Sequence, residues 1–244
     1  MDVIKPYKRG CGYSYALGAF PTFELLRKRP KSTIGVFVHS TFPEKERVEA
    51  LCEEEGIPVW YNDKAIARLS DKENVFVIGV FRTSEQRLNP ENPHVMLVNP
   101  SNMGNLGTIL RTCLAYGIHD LAIIAPGVDW LNPKVVRASM GAIFSMRIAM
   151  YDSFEEYVSF ASGVGREYFP FMLNGGFELS PVTCPKPKLF TLVYGNEATG
   201  LPAVYAEVGT AIKIPQSDEV DSLNLTIAVG IGLFCFRGGN VGKE

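Results

Sequence analysis

A chain of 244 residues holds one large domain or two small ones, with core enough to fold without disulfide staples. Its 46% hydrophobic and 20% charged residues are those of an ordinary globular protein. The longest apolar run, Leu223–Phe236, stops short of the ~20 residues a membrane span needs, and a formal net charge of −2 excludes a uniformly basic polyanion binder. Cys11, Cys52, Cys113, Cys184 and Cys235 are scattered and never paired as C-x-x-C, and His39, His94 and His119 have no ligand spacing. That pattern points to a reducing compartment, the cytoplasm, and away from a metal site. The Met1–Gly10 start is charged and lacks an apolar h-region, so no secretory signal is read there.

In chain order, Tyr15–Arg29 reads as a loop feeding a short helix that contributes Phe23, Leu25 and Leu26 to a core. A strand follows at 35–40, a charged amphipathic helix at 43–56 stopped by Gly56, and a strand at 57–62. A short helix at 63–71 and a strand at 74–81 complete a small α/β module over residues 1–81. Residues 82–93, polar, with two prolines and no periodicity, read as a linker.

From His94 the pattern resets. Strands at 94–100, 121–125, 144–150, 168–173, 189–195 and 211–215 are interleaved with helices at 102–116, 133–141 and 153–161, and an apolar helix closes the chain. Short buried strands between helices predict a parallel sheet covered on both faces over residues 94–244. The closing helix is apolar on nearly every side, which predicts burial. Ser222 reads as its N-cap, and Asn224 as an amide buried inside it and in need of a partner.

Charge is unevenly spread. Residues 1–31 carry Lys5, Lys8, Arg9, Arg27, Lys28, Arg29 and Lys31 against Asp2 and Glu24, a local excess of +5, whereas residues 89–244 sum to −4. A basic end on an acidic chain suits a polyanion, or is simply a solvated face. In the second half, three Gly/Asn/Ser-rich loops follow strands. The first, NPSNMGNLGTILRT (99–112), places Gly104 and Gly107 at a helix start, where unpaired N–H groups attract anions, and Arg111 one turn beyond Gly107. It matches neither the dinucleotide nor the P-loop pattern. The second, VYGNEATGLP (193–202), sets Gly195, Asn196, Glu197 and Gly200 at the C-terminal end of a strand, where ligands of open α/β sheets bind. The third delivers Ser222, Leu223 and Asn224 ahead of the last helix.

Taken together, N-x-G-N-x-G-x-x-x-R, G-N-E-x-x-G-L and I-P…S-L-N, in that order and before an apolar helix, resemble the motifs of the SPOUT-class RNA ribose 2′-O-methyltransferases of the SpoU or TrmH-like branch. The intervening NPKVVRASMGAIF (132–144) resembles the segment that family carries between its first two motifs. Residues 94–236 carry this resemblance. The N-terminal module resembles, more loosely, the ribosomal-protein-like RNA-binding domain of many members.

The resemblance implies a parallel sheet whose last segment threads a deep trefoil knot, an exception to the un-knotted rule. It implies S-adenosylmethionine held by backbone near Leu192, Gly195, Ile214 and Leu223, a homodimer, ribosomal or transfer RNA as substrate, and no metal. Arg111 matches the first-motif arginine that acts on the ribose. A guanidinium holds its protons too tightly to be an easy base, so phosphate positioning and stabilisation of a developing alkoxide come first. Asn102, Glu197, Ser222 and Asn224 match the polar residues that orient the ribose and brace the loops, while Lys28, Arg29 and Lys31 are the expected RNA contacts. Two rivals share the fold: a methyltransferase of an RNA base, and a non-catalytic RNA-binding or ribosome-assembly factor.

Overall fold

A computed structural model of the chain describes residues 5–70 and 74–238. The chain divides into two compact units, Met1–Glu85 with Asp129–Ser145, and Gln86–Val128 with Met146–Glu244. The end of the helix expected at 63–71 lies outside the described residues.

In the first unit the elements are β1 (Tyr13–Leu17), α1 (Ala19–Lys28), β2 (Thr33–Val38), α2 (Lys45–Glu54), β3 (Val59–Tyr61), α3 (Asp63–Leu69) and β4 (Val77–Arg82). The sheet runs β1-β4-β2-β3, with β4 antiparallel to both its neighbours and β3 parallel to β2. α3 starts where the Asn62 side chain accepts the Ala65 N–H at 2.9 Å, an N-cap. β1 was expected as loop. Its residues Ser14–Leu17 are all buried, so the polar alternation that signals a strand is missing. The buried Ser14 hydroxyl donates to the Leu131 carbonyl, which makes its burial tolerable.

Asp129–Ser145, assigned from the sequence to the second domain, packs with the first unit instead. Arg29 Nε donates to the Phe144 carbonyl at 2.8 Å, the Tyr7 hydroxyl to Asp129 at 2.5 Å, and the Phe81 and Phe144 rings meet edge-on at 5.2 Å.

The second unit holds β5 (His94–Val98), α4 (Met103–Ala115) and β6 (Asp120–Ile124). After the excursion that carries α5 (Pro133–Ala138) come β7 (Arg147–Tyr151), α6 (Phe154–Phe160), β8 (Glu167–Pro170), β9 (Phe177–Glu178), β10 (Phe190–Tyr194), β11 (Ile212–Lys213) and α7 (Leu225–Arg237). Five strands form a wholly parallel sheet in the order β7-β6-β5-β10-β8. β5, β6 and β10 are buried along their whole length, which is why they read as unbroken runs. Met96, Val98 and Val193 pack with Tyr157 of α6, whereas Tyr194 stacks on Phe171 at 4.4 Å beside Gly232 of α7. Alternate strand residues face opposite ways, so α6 and α7 cover opposite faces.

Two expectations are corrected here. The strand expected at 211–215 shrinks to Ile212–Lys213 and pairs with β9 in a separate two-stranded sheet; pieces that short leave no periodicity to read. α7 is not buried all round within one chain. It buries Leu225, Val229, Leu233 and Phe236, but Ile227 and Phe234 are each 53% exposed.

A buried polar chain closes the N-terminal edge of the sheet. His94 Nε2 donates to the Asn89 carbonyl at 2.8 Å, and since that oxygen can only accept, Nδ1 accepts from the Tyr157 hydroxyl at 2.7 Å. Tyr157 in turn accepts from Thr191 at 2.7 Å, and Thr191 from Arg166 at 3.2 Å. Burial, with the Arg166 charge adding to it, pushes the His94 imidazole down to about 4. Nearby, Asp120 takes Arg147 Nε at 2.6 Å and the Asn89 N–H at 2.8 Å.

Candidate active site

At the C-terminal ends of the neighbouring strands β5 and β10, one carboxylate joins two loops. Glu197 accepts from the Ser101 hydroxyl at 2.8 Å and N–H at 3.1 Å, from the Asn102 N–H at 3.2 Å and from Asn105 Nδ2 at 3.1 Å. Asn102 Oδ1 accepts the Gly104 N–H at 2.8 Å and the Asn105 N–H at 3.0 Å, which caps α4. The N–H groups expected to await an outside anion are therefore taken by the chain's own carboxylate and amide. Burial works to raise the Glu197 carboxyl, but backbone N–H groups and the Ser101 and Asn105 donors outweigh it and hold the group below its ordinary value.

Beside this junction lies a cleft of about 410 Å³. Phe171, Met172 and Leu173 wall one side, the Gly195–Leu201 loop another, and Ile214, Ser222 and Leu223 a third. A Cβ on Gly195 would sit 2.1 Å from the Gly200 carbonyl carbon, so only glycine lets this loop fold back on itself. Ile214 and Leu223 line the cleft, and their backbone N–H and C=O groups meet no partner among the described residues, which leaves them as donors and acceptors for a ligand. Apolar walls with a few fixed polar groups are the make-up of a small-molecule site.

Residues 92–234 match the model of the SpoU rRNA Methylase family. This chain belongs to that family. A 23S rRNA (adenosine(1067)-2′-O)-methyltransferase of Streptomyces laurentii is 28% identical over 207 residues, which cover 81% of this chain and 76% of that one. An uncharacterized tRNA/rRNA methyltransferase of Synechocystis is 28% identical over 176 residues, covering 70% of this chain and 64% of the relative's own length. Among solved structures, an AdoMet-bound rRNA methyltransferase from Sinorhizobium meliloti aligns with a TM-score of 0.77 at 28% identity, over 95% of this chain and 89% of that one.

Within this SpoU-family chain the expected site residues separate into groups. Gly195, Glu197, Ile214, Ser222 and Leu223 line the cleft. Leu192 does not; it is fully buried within β10, short of the loop that begins at Gly195. Asn102 stands at the Glu197 junction. Arg111 lies further along α4, exposed and without a partner among the described residues. Asn224 is not a buried amide. It is exposed and is itself the N-cap of α7, accepting the Thr226 N–H at 2.8 Å and hydroxyl at 2.7 Å. Ser222 is left on the cleft wall, because the helix begins later than its apolar pattern suggests.

In the first unit, Lys31 is exposed and Lys28 pairs with Glu24 at 3.0 Å. Arg29 donates through Nε to the Phe144 carbonyl at 2.8 Å. In the sequence Ser101 and Asn105 carry no signal of a role, and Asn196 shows only its place at the strand end. Their partners lie more than ninety residues away, and contact across such a separation leaves no local pattern. Among the described residues, no group of His, Cys, Asp and Glu side chains is arranged to hold a metal ion, and no helix is long and apolar enough to cross a membrane.

Proposed function

We propose that this chain transfers a methyl group from S-adenosylmethionine to a ribose 2′-hydroxyl of ribosomal or transfer RNA. The observation that carries the reading is the Glu197 junction. Glu197 both lines the cleft and binds the first turn of α4, so the helix bearing Arg111 begins at the cleft wall. The matched relatives named as rRNA ribose methyltransferases, and the AdoMet-bound structure, support the same chemistry.

The cleft suits that cofactor. Its free backbone groups at Ile214 and Leu223 offer hydrogen bonds to an adenine edge, and Leu201, Leu223 and Leu225 supply apolar walls. Leu192 supports β10 from within. When bound, the cofactor supplies an electrophilic methyl group on a sulfonium. Arg111 settles a substrate phosphate and stabilises the oxygen as charge develops on it. Asn102 and Ser222 orient the ribose, Glu197 braces the loops, and Asn224 starts the final helix. Placement supplies much of the rate in such a transfer.

The segment from β11 through α7 is the part that threads the family's trefoil knot. A second copy of the chain covers Ile227 and Phe234, giving a homodimer. The first unit grips RNA phosphates through exposed Lys28 and Lys31, together with Lys5, Lys8 and Arg9, in the cytoplasm where such RNA resides.

The test is transfer of labelled methyl to total RNA from cells lacking the protein, followed by alkaline hydrolysis. A 2′-O-methyl group protects the adjacent phosphodiester, so label belongs in dinucleotides. Label in mononucleotides means base methylation, and no label with RNA still bound means a non-catalytic factor. Calorimetry with the cofactor should use the full chain, because Asp129–Ser145 packs with the first unit.

A further inference from the structure

Asn99, the first residue after β5, has φ of 52°, in the left-handed region that most side chains disfavour and asparagine enters more readily than others. Its own side chain is exposed and has no partner among the described residues, so it does not hold the backbone there. Its backbone is held from both ends. The N–H donates to the Ile124 carbonyl at 3.0 Å, and the C=O accepts from Asn196 Nδ2 at 2.8 Å. Asn196 is in turn fixed by the cleft loop. Its Oδ1 accepts the Ala198 N–H at 2.8 Å and the Thr199 N–H at 3.2 Å, and its backbone exchanges hydrogen bonds with Gly200 at 3.2 and 2.9 Å. Because those N–H groups can only donate and the Asn99 carbonyl can only accept, the two ends of the amide are assigned without ambiguity.

We infer that Asn196 is a positioning residue for methyl transfer. It latches the left-handed Asn99 backbone and thereby sets the direction in which the chain enters α4, while the adjacent Glu197 fastens Ser101 and Asn102. The two side chains divide the work. Glu197 holds the N–H groups of the helix start; Asn196 holds the turn that aims it. Released from Asn196, Asn99 is free to leave the left-handed region, and the start of α4, with Asn102 and Arg111 on it, is no longer aimed at the cleft. Asn196 itself lies in the Gly195–Leu201 wall of the cleft, whereas Asn99 does not line it, so a change at Asn99 tests the turn without touching the cofactor wall. This inference rests on the role given to α4 above.

Three variants of the full chain test it. Asn196→Asp keeps the acceptor for Ala198 and Thr199 but replaces the donor to Asn99 with an oxygen. Asn99→Val attacks the same turn from the other side, since a β-branched residue resists positive φ. Asn99→Gly removes the side chain at no cost to that φ. The readouts are amide exchange over residues 99–105, calorimetric affinity for S-adenosylmethionine, and single-turnover methyl transfer to RNA.

Asn196→Asp and Asn99→Val should speed exchange over 99–105 and slow transfer by about 10- to 100-fold through misplacement alone, and in Asn99→Val, which leaves the cleft wall untouched, cofactor affinity should be unchanged. Asn99→Gly should behave like wild type. Exchange unchanged in Asn196→Asp would overturn the latch, as would a rate loss in Asn99→Val matched by an equal loss of cofactor affinity. If Asn196→Asp does not fold, the contrast between Asn99→Val and Asn99→Gly decides, and equal behaviour of those two overturns the proposal. Wild-type protein that methylates no RNA would sink the functional reading and not the latch, on which the exchange pattern of the variants still rules.

Discussion

Glu197 accepts a hydrogen bond from the Ser101 hydroxyl at 2.8 Å, and that contact docks the loop after β10 onto the loop after β5. Gln at 197 would turn an N–H₂ group toward donors that need an acceptor. Glu197→Gln should therefore lower stability by about 1 kcal/mol at neutral pH, the lower end for bonds to a charged group because the site is half-exposed. The carboxyl is held below its ordinary value in the folded chain, so its contribution is complete above the ordinary carboxylate range and is lost as pH falls through the folded value. Denaturation of both proteins across pH checks this: their difference should hold at neutral pH and shrink below about pH 4. A difference independent of pH would show that the charge plays no part.

Arg111 is exposed and free of partners among the described residues, so Arg111→Ala should leave stability within about 0.5 kcal/mol. Methyl transfer should fall at least about 10²–10³-fold, the usual loss for one well-placed donor to a developing oxyanion. Calorimetric affinity for the cofactor should stay as it was. Full activity in the variant would remove Arg111 from the reaction.

Asn224 caps α7 through Thr226. Replacing it with Ala should cost about 1 kcal/mol, while Asp or Ser should recover most of that. Urea denaturation measures the series. An Ala variant as stable as wild type would show that the cap is dispensable.

His94 is neutral in the fold and carries its proton on Nε2, with its value pushed down to about 4 from 6.5. Lowered in the folded state, it contributes stability that is present above about pH 6.5 and is lost as pH falls toward 4, because the unfolded chain takes up the proton first. The melting temperature should drop across that window, and His94→Gln should flatten the drop. An equal drop in the variant would assign it to the carboxylates instead.

The exposed Ile227 and Phe234 on α7 predict a dimer in solution. Light scattering of the wild-type protein should give twice the chain mass. Ile227→Asp with Phe234→Asp should give the chain mass, with the far-UV spectrum of the monomer fold retained. A wild-type monomer at micromolar concentration would sink the prediction.

Local chemistry made much of this legible in the sequence. The apolar runs at 94–98, 121–124 and 190–194 announce central parallel strands because both faces of each are buried. The order of the three loops, with Arg111, Glu197 and Ser222 in them, pointed to the family because spacing along the chain survives in the motif. What lay beyond reach depended on contacts between distant segments. No periodicity places Asp129–Ser145 against the first unit, since Arg29 meets Phe144 only after folding. Asn224 looked buried because its neighbours are apolar; only the position of the helix start turns it outward as a cap. Glu197 alone in a loop is an ordinary surface acid. It becomes the joint of the site because the sheet sets β5 beside β10, and a pairing in space between strands some ninety residues apart is settled by tertiary packing, not by either local sequence.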